Sequence, residues 1–260
     1  MDLQQIPHVL ACDVGNSGVH MAHVQGEQVD EVVILRTGEL ASLGEKLADL
    51  WARMPAPRKL VACSVSPASL KALEAAADEA IHEPVLVVGR DIPLPVEARV
   101  DEPSRVGADR LCTAVAAFDR LGVGCVVADF GTAITIDAIS DEGVFLGGAI
   151  LPGLNMGADA LHNATAQLPR VAIGQCDWVF GKNTTQAIVG GLVCGARGAL
   201  RYFVEAYATE MGHWPLVVLT GGDAALVADD PSTAELVQAV VPDLAIRGTA
   251  IAYYRTLLPK

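Results

Sequence analysis

Apolar residues fall along the chain in short runs, each closed by glycine, proline or a carboxylate. Val9 to Asp13 reads as a strand, Val19 to Val24 as a second and Glu31 to Leu35 as a third. Leu40, Leu43, Leu47 and Leu50 recur at helical spacing, which predicts a helix over Glu39 to Met54, ended by Pro55-Ala56-Pro57. Leu60 to Val65 is the next strand, and Ser66-Pro67 opens a helix through Ile81, with the proline where a first helical turn tolerates it. Val85 to Val88 is a further strand. The order β-β-β-α-β-α-β predicts a ribonuclease-H-like unit, a mixed sheet covered by helices.

Pro93, Pro95 and Pro103 mark an irregular connection up to Ser104, after which Asp109 to Leu121 is helical with Leu111, Val115 and Phe118 on one face. From Cys125 the pattern restarts. A strand enters Asp129-Phe130-Gly131-Thr132, a second runs to Asp137, Gly143 to Leu151 is a third, and a helix spans Leu154 to Leu168. An inserted segment, Pro169 to Lys182, precedes a long helix from Thr184 to Met211. Leu216 to Leu219 is a strand running into Thr220-Gly221-Gly222-Asp223, followed by two short helices, a strand near Leu244 to Ile246 and a terminal helix from Thr249. The expectation is an α/β protein of two ribonuclease-H-like, actin-like lobes, 1–121 and 122–260, with mixed sheets flanked by helices and an active-site cleft between them.

The repeated feature carries the chemistry. Asp13-Val14-Gly15-Asn16-Ser17-Gly18 and Asp129-Phe130-Gly131-Thr132 both place a carboxylate and a glycine turn with a hydroxyl at the end of a buried strand, 116 positions apart. Such turns present backbone N–H groups and a hydroxyl to a phosphate. Gly15 and Gly18 are expected to supply backbone freedom, and Asp13 to approach a phosphate-bound Mg²⁺. Gly221 and Gly222 suit a purine or ribose lying against the backbone. In Gly107-Ala108-Asp109-Arg110, the helix start and the arginine are expected to stabilise Asp109 as an anion, and it is the acid/base candidate. Taken singly, each motif also has a structural explanation: a hairpin turn for Asn16 to Gly18, a helix cap for Asp109. His20 and His23 are three apart and so fall on opposite faces of a strand, which argues against a metal pair.

A net charge of −13 excludes a surface built for nucleic-acid phosphates, though not a nucleotide held by backbone amides and a metal. No uninterrupted apolar run reaches the ~18–20 residues of a membrane span, and the residues after Met1 are polar without a basic start, so no secretion signal is expected. The six cysteines form no Cys-x-x-Cys pair, which favours free thiols in a reducing cytoplasm.

Six motifs occur in order: Asp13 to Ser17, Ser64-Val65-Ser66-Pro67, Gly107 to Arg110, Asp129 to Ala133, Gly147 to Gly153, and Gly181-Lys182-Asn183-Thr184. Together they resemble type III pantothenate kinase, within the superfamily of acetate and sugar kinases, actin and heat-shock chaperones. The resemblance covers nearly the whole chain. It implies ATP-dependent phosphorylation of pantothenate to 4′-phosphopantothenate, the first step towards coenzyme A. Asp109 would be the general base. Gly107, Ala108, Asp109, Arg110 and Thr184 would contact pantothenate. Asp13, Val14, Gly15, Asn16, Ser17, Gly18, Val19, His20 and Thr132 would bind ATP, and Asp129 would hold a monovalent cation, K⁺ or NH₄⁺, beside the Mg²⁺ of the nucleotide. It also implies a cytoplasmic homodimer with no nucleic-acid or membrane partner. One departure stands out: a tyrosine that lines the acceptor pocket in the family is Val100 here. Alternative readings are a non-catalytic accessory regulator on the same fold, or a kinase for another small hydroxylated acid.

Overall fold

The computed structural model describes residues 7–258. They divide into two compact units: residues up to Arg120 together with those from Asp243 onward, and Leu121–Pro242.

In the first unit, β1 (His8–Val14) is the central strand. It pairs antiparallel with β2 (Gly18–Gln25) and parallel with β5 (Arg58–Ser64), which pairs parallel with β6 (Val85–Val87). The third strand expected at Glu31 to Leu35 is two pieces, β3 (Gln28–Val29) and β4 (Val33–Arg36), both paired to β2. The sheet has an apolar layer on each face. One face takes α1 (Leu43–Arg53) and α2 (Pro67–Ala80) through Leu43, Leu47, Trp51, Leu73 and Ala77. The other takes α3 (Ala108–Leu121) through Cys112.

The second unit repeats the plan. β7 (Cys125–Phe130) pairs antiparallel with β8 (Ala133–Ile139), which pairs with β9 (Phe145–Pro152). On its other side β7 pairs parallel with β10 (Leu216–Thr220), which pairs parallel with β11 (Val237–Val240). α4 (Leu154–Ala164) and α5 (Thr184–Met211) cover one face, and residues 165–183 carry no regular element. Among the described residues α5 is the one helix long and apolar enough to cross a membrane. Its stripe Ile188, Val189, Val193, Ala196, Leu200 and Val204 instead packs in the core of this unit. On the same helix the buried Arg197 pairs with Asp230 at 2.9 Å and donates to the Leu226 carbonyl at 2.6 Å, which fixes α5 to the short helices α6 (Ala224–Ala228) and α7 (Pro231–Ala234).

Two expectations are corrected at the C-terminal end. The strand near Leu244 to Ile246 is the first turn of α8 (Leu244–Thr256), and the last strand of the second unit is β11, nearer the N-terminus. Val237 and Val240 supply the β-branched residues, and Pro242 stops the strand before the helix. The second lobe therefore does not run to residue 260: α8 belongs to the first unit. Ile246, Ala250 and Ala252 pack beside Cys112, and the Arg247 guanidinium donates to the Glu27 carbonyl at 2.8 Å. The Tyr254 hydroxyl donates to the Val24 carbonyl at 3.1 Å. Periodicity marks an amphipathic helix but not which of two similar sheets it will cover.

Candidate active site

In the first unit the chain reverses between β1 and β2 in a turn closed by the Gly15 N–H donating to the Gly18 carbonyl at 2.9 Å. Val14 and Val19 are buried on either side of it, while Asn16 and Ser17 are exposed. The expected backbone freedom is not what the glycines supply, since neither Gly15 nor Gly18 has positive φ. A Cβ on Gly18 would lie 2.1 Å from the Leu35 carbonyl oxygen, so this glycine permits the close β2–β4 pairing. Thr37 braces the turn, its hydroxyl donating to the Asn16 carbonyl at 3.0 Å and its N–H to the Ser17 carbonyl.

Asp13 lies directly across the ladder from His20. Burial raises its pKa above the usual carboxylate range; the Asp109 charge pushes the same way, while His20 and a Cys63 hydrogen bond oppose it. His23 spends both ring nitrogens elsewhere, on His8 and Asp30 at 2.8 Å each.

Asp109 occupies the first turn of α3, half-buried. The Arg110 N–H donates to Asp109 Oδ1 at 2.8 Å. A Cβ on Gly107 would sit 2.4 Å from that oxygen, so the carboxylate folds back over a residue with no side chain. The expectation of a stabilised anion is corrected in its net sign. The Arg110 N–H and charge do lower the pKa, but burial acts more strongly and raises it. That direction suits a general base, which works best with a pKa moved towards the working pH. Val100, half-buried, lies in the irregular segment before α3.

In the second unit the structure brings together residues that the sequence separates by ninety positions. Asp129 lies at the end of β7, and the following turn is closed by the Gly131 N–H donating to the Ala133 carbonyl at 3.1 Å. Gly221, at φ +93°, lies against this turn: a Cβ on it would meet Asp129 Oδ1 and the Phe130 carbonyl carbon, each at 2.5 Å. The Asp223 N–H donates to the Phe130 carbonyl at 3.0 Å, locking the two segments together, and burial raises the Asp223 pKa. Gly222 has open space around the position of a Cβ, so it carries no comparable demand.

Gly153, not singled out as a site residue, closes the turn's other side. Its N–H donates to the Thr132 carbonyl at 3.2 Å, and a Cβ would lie 2.2 Å from that oxygen. The signal was present in Pro152-Gly153 ahead of an apolar helical run, an N-cap pattern that also says a neighbour must approach closely. Thr184 is the exposed first residue of α5, with Asn183 capping the helix by accepting from the Gln186 N–H at 2.9 Å. It belongs to the second unit, whereas Gly107 to Arg110 belong to the first.

Two mixed sheets with corresponding strands, each carrying a carboxylate near the end of its central strand beside a glycine turn, define an actin-like fold. A Campylobacter jejuni protein described as a Baf family transcriptional activator shares the fold, with a TM-score of 0.60 at 22% identity, covering 96% of this chain and 100% of that one. So does MreB5 of Spiroplasma citri bound to ADP, with a TM-score of 0.54 at 12% identity, over 96% and 97%. In sequence, the family model for type III pantothenate kinase matches residues 9–206. A type III pantothenate kinase of Dehalococcoides mccartyi is 33% identical over 257 residues, 94% of this chain and 96% of that protein. One of Rhodospirillum rubrum is 40% identical over 196 residues, 75% of each. The chain belongs to the type III pantothenate kinase family.

Proposed function

We propose that this chain transfers the γ-phosphoryl group of ATP to the hydroxyl of pantothenate, giving ADP and 4′-phosphopantothenate, with Asp109 as general base. The observation that carries the assignment is the Asp109 carboxylate itself, half-buried in the first turn of α3, oriented by the Arg110 N–H and raised in pKa by burial. As the hydroxyl oxygen attacks the γ-phosphorus, its proton passes to Asp109 and the bond to the ADP oxygen breaks. Positioning and charge stabilisation supply most of the acceleration in such a transfer.

In this reading Gly107 to Arg110 and Thr184 bind the acceptor. Asp13 to His20, with Thr132, Gly221 and Gly222, serve ATP. Val100 leaves the acceptor side without an aromatic wall, which keeps another small hydroxylated acid as a candidate substrate.

The donor chemistry fits hard cations, which take oxygen ligands. Asp129 Oδ1 lies in a cradle that side chains on Gly131 or Gly221 would fill, at 3.2 Å and 2.5 Å from a Cβ, and the carbonyls of Gly131 and Thr132 belong to the same turn. Asp129 would hold K⁺ or NH₄⁺ there, and Asp13 would face the Mg²⁺ of the nucleotide. These cations offset the charge of a triphosphate beside carboxylates in a chain of net charge −13.

ADP release coupled to a reporter reaction tests the reading. Turnover is expected only with pantothenate and MgATP together, and K⁺ or NH₄⁺ should raise it well above its level in sodium-only buffer. ADP release independent of pantothenate would reject the function, and so would the absence of any turnover, the behaviour of a non-catalytic regulator. Full activity in sodium alone would reject the cation site.

The protein is further proposed to act as a cytoplasmic homodimer. α5 carries Gly191, Gly195 and Gly198, each with open space where a Cβ would stand, which permits close approach of a second copy. Sedimentation at micromolar concentration should give a dimer, and a fully active monomer would refute it.

A further inference from the structure

β1 and β5 run parallel and in register, so Asp13 lies directly beside Cys63. The Cys63 side chain is fully buried, and its S–H donates to Asp13 Oδ1 at 3.5 Å. Behind it, Cys63 is within hydrogen-bonding reach of Cys112 on α3 and Thr249 on α8, both fully buried. Cys112 stands three residues after Asp109 on the same helix. α8 meets α3 backbone to backbone there, since a Cβ on Gly248 would lie 1.9 Å from the Cys112 carbonyl oxygen.

The duplicated unit carries a parallel observation. β7 and β10 pair so that Thr220, nearly fully buried, lies directly beside Asp129, the counterpart of Asp13. In both copies the position beside the loop carboxylate holds a buried side chain with a proton to donate, a thiol in one and a hydroxyl in the other.

We propose that Cys63 is a positioning residue of the nucleotide site, its thiol orienting the Asp13 carboxylate towards cation-bound phosphates. The proposal rests on the reading of Asp13 as a nucleotide-side residue. A weak donor is well matched to this role, because it fixes one oxygen without neutralising the charge. A carboxylate has roughly four acceptor positions, which leaves the others for a cation or its waters.

Infrared spectroscopy of the S–H stretch, with steady-state kinetics, tests it. The wild-type protein should show a hydrogen-bonded S–H band that disappears in Cys63→Ala and shifts in frequency in Asp13→Ala, as the thiol loses the carboxylate acceptor. Cys63→Ala should raise the KM for MgATP about 3- to 10-fold, the range for losing a modest hydrogen bond, with kcat and the KM for pantothenate within about twofold of wild type. Cys63→Ser, which keeps a donor, should restore the MgATP KM. A Cys63 band that ignores Asp13→Ala overturns the proposal. So does an Ala variant whose two KM values rise together without rescue by Ser. Should Asp13→Ala leave the MgATP KM unchanged, the role of Asp13 itself fails and that of Cys63 with it. A MgATP KM raised in Asp13→Ala but not in Cys63→Ala removes Cys63 alone.

Discussion

Asp109→Asn is expected to lose about 10²–10⁴-fold in kcat, the usual contribution of a positioned general base, while nucleotide binding and melting temperature hold. The amide keeps the size of the carboxylate and an oxygen to accept the Arg110 N–H now bonded to Oδ1 at 2.8 Å. It loses the capacity to take a proton. The pKa direction adds a second readout. Asp109 titrates above its ordinary range chiefly because it is buried, so the folded state holds its proton to higher pH than the unfolded chain does. A folded pKa raised in this way makes the group's contribution to stability fall as pH rises through the window between the two pKa values. At neutral pH the charged carboxylate is therefore a cost to folding, and the neutral amide should melt no lower than wild type. The same shift places the acid limb of kcat/KM above the usual carboxylate range. A folded Asn variant with near-normal turnover would remove Asp109 from the chemistry. A variant that melts well below wild type would mean that the loss is structural.

The strand-rich parts of both units were legible in the sequence because their signals are local. Alternating or continuous apolar runs closed by glycine or proline gave β1, β2, β5, β7 and β10 within a residue or two. The partition of the chain was not local. α8 carries small residues along a face that either sheet could accept, and only the approach of Gly248 to Cys112 decides that it covers the first. The glycines show the same limit. Gly15 and Gly18 looked conformationally special and are not, since Gly18 is required by the Leu35 carbonyl of a strand seventeen residues further on. Gly107, Gly153 and Gly221 are likewise each defined by an atom it must not touch. The sign of the Asp109 shift failed for a similar reason: the helix start and Arg110 can be read from spacing, but the depth of burial that outweighs them cannot. Cys63 sits in an apolar strand with nothing in the sequence to single it out, and its partner became visible only once the parallel register was fixed.

Gly221→Ala is expected to be strongly destabilising, and the contrast with Gly222→Ala makes the reason testable. At φ +93° an alanine is strained in its own backbone, a cost of about 1–3 kcal/mol. Its methyl would also press on Asp129 Oδ1 and the Phe130 carbonyl carbon at 2.5 Å, and on the Phe130 carbonyl oxygen at 2.6 Å. Two of these three atoms are backbone and cannot rotate aside, so overpacking adds about 1–3 kcal/mol more. The two costs together come to about 2–6 kcal/mol; for a chain of this size each kcal/mol moves the melting temperature by about 2–4 °C, giving a fall of roughly 4–24 °C. If the Asp129 turn yields instead, the strain appears as a displaced carboxylate. In that case the response to K⁺ weakens and the KM for ATP rises, with a smaller loss of stability. At Gly222 a Cβ meets nothing within 4 Å and φ is not positive, so Ala there should melt within about 2 °C of wild type, in line with ordinary unstrained substitutions. Calorimetry on the two variants, with K⁺ titrations of their activity, separates the cases. Equal behaviour of Gly221→Ala and Gly222→Ala would mean that Gly221 does not lie against the Asp129 turn, and the pairing of these two segments into one site would fall with it.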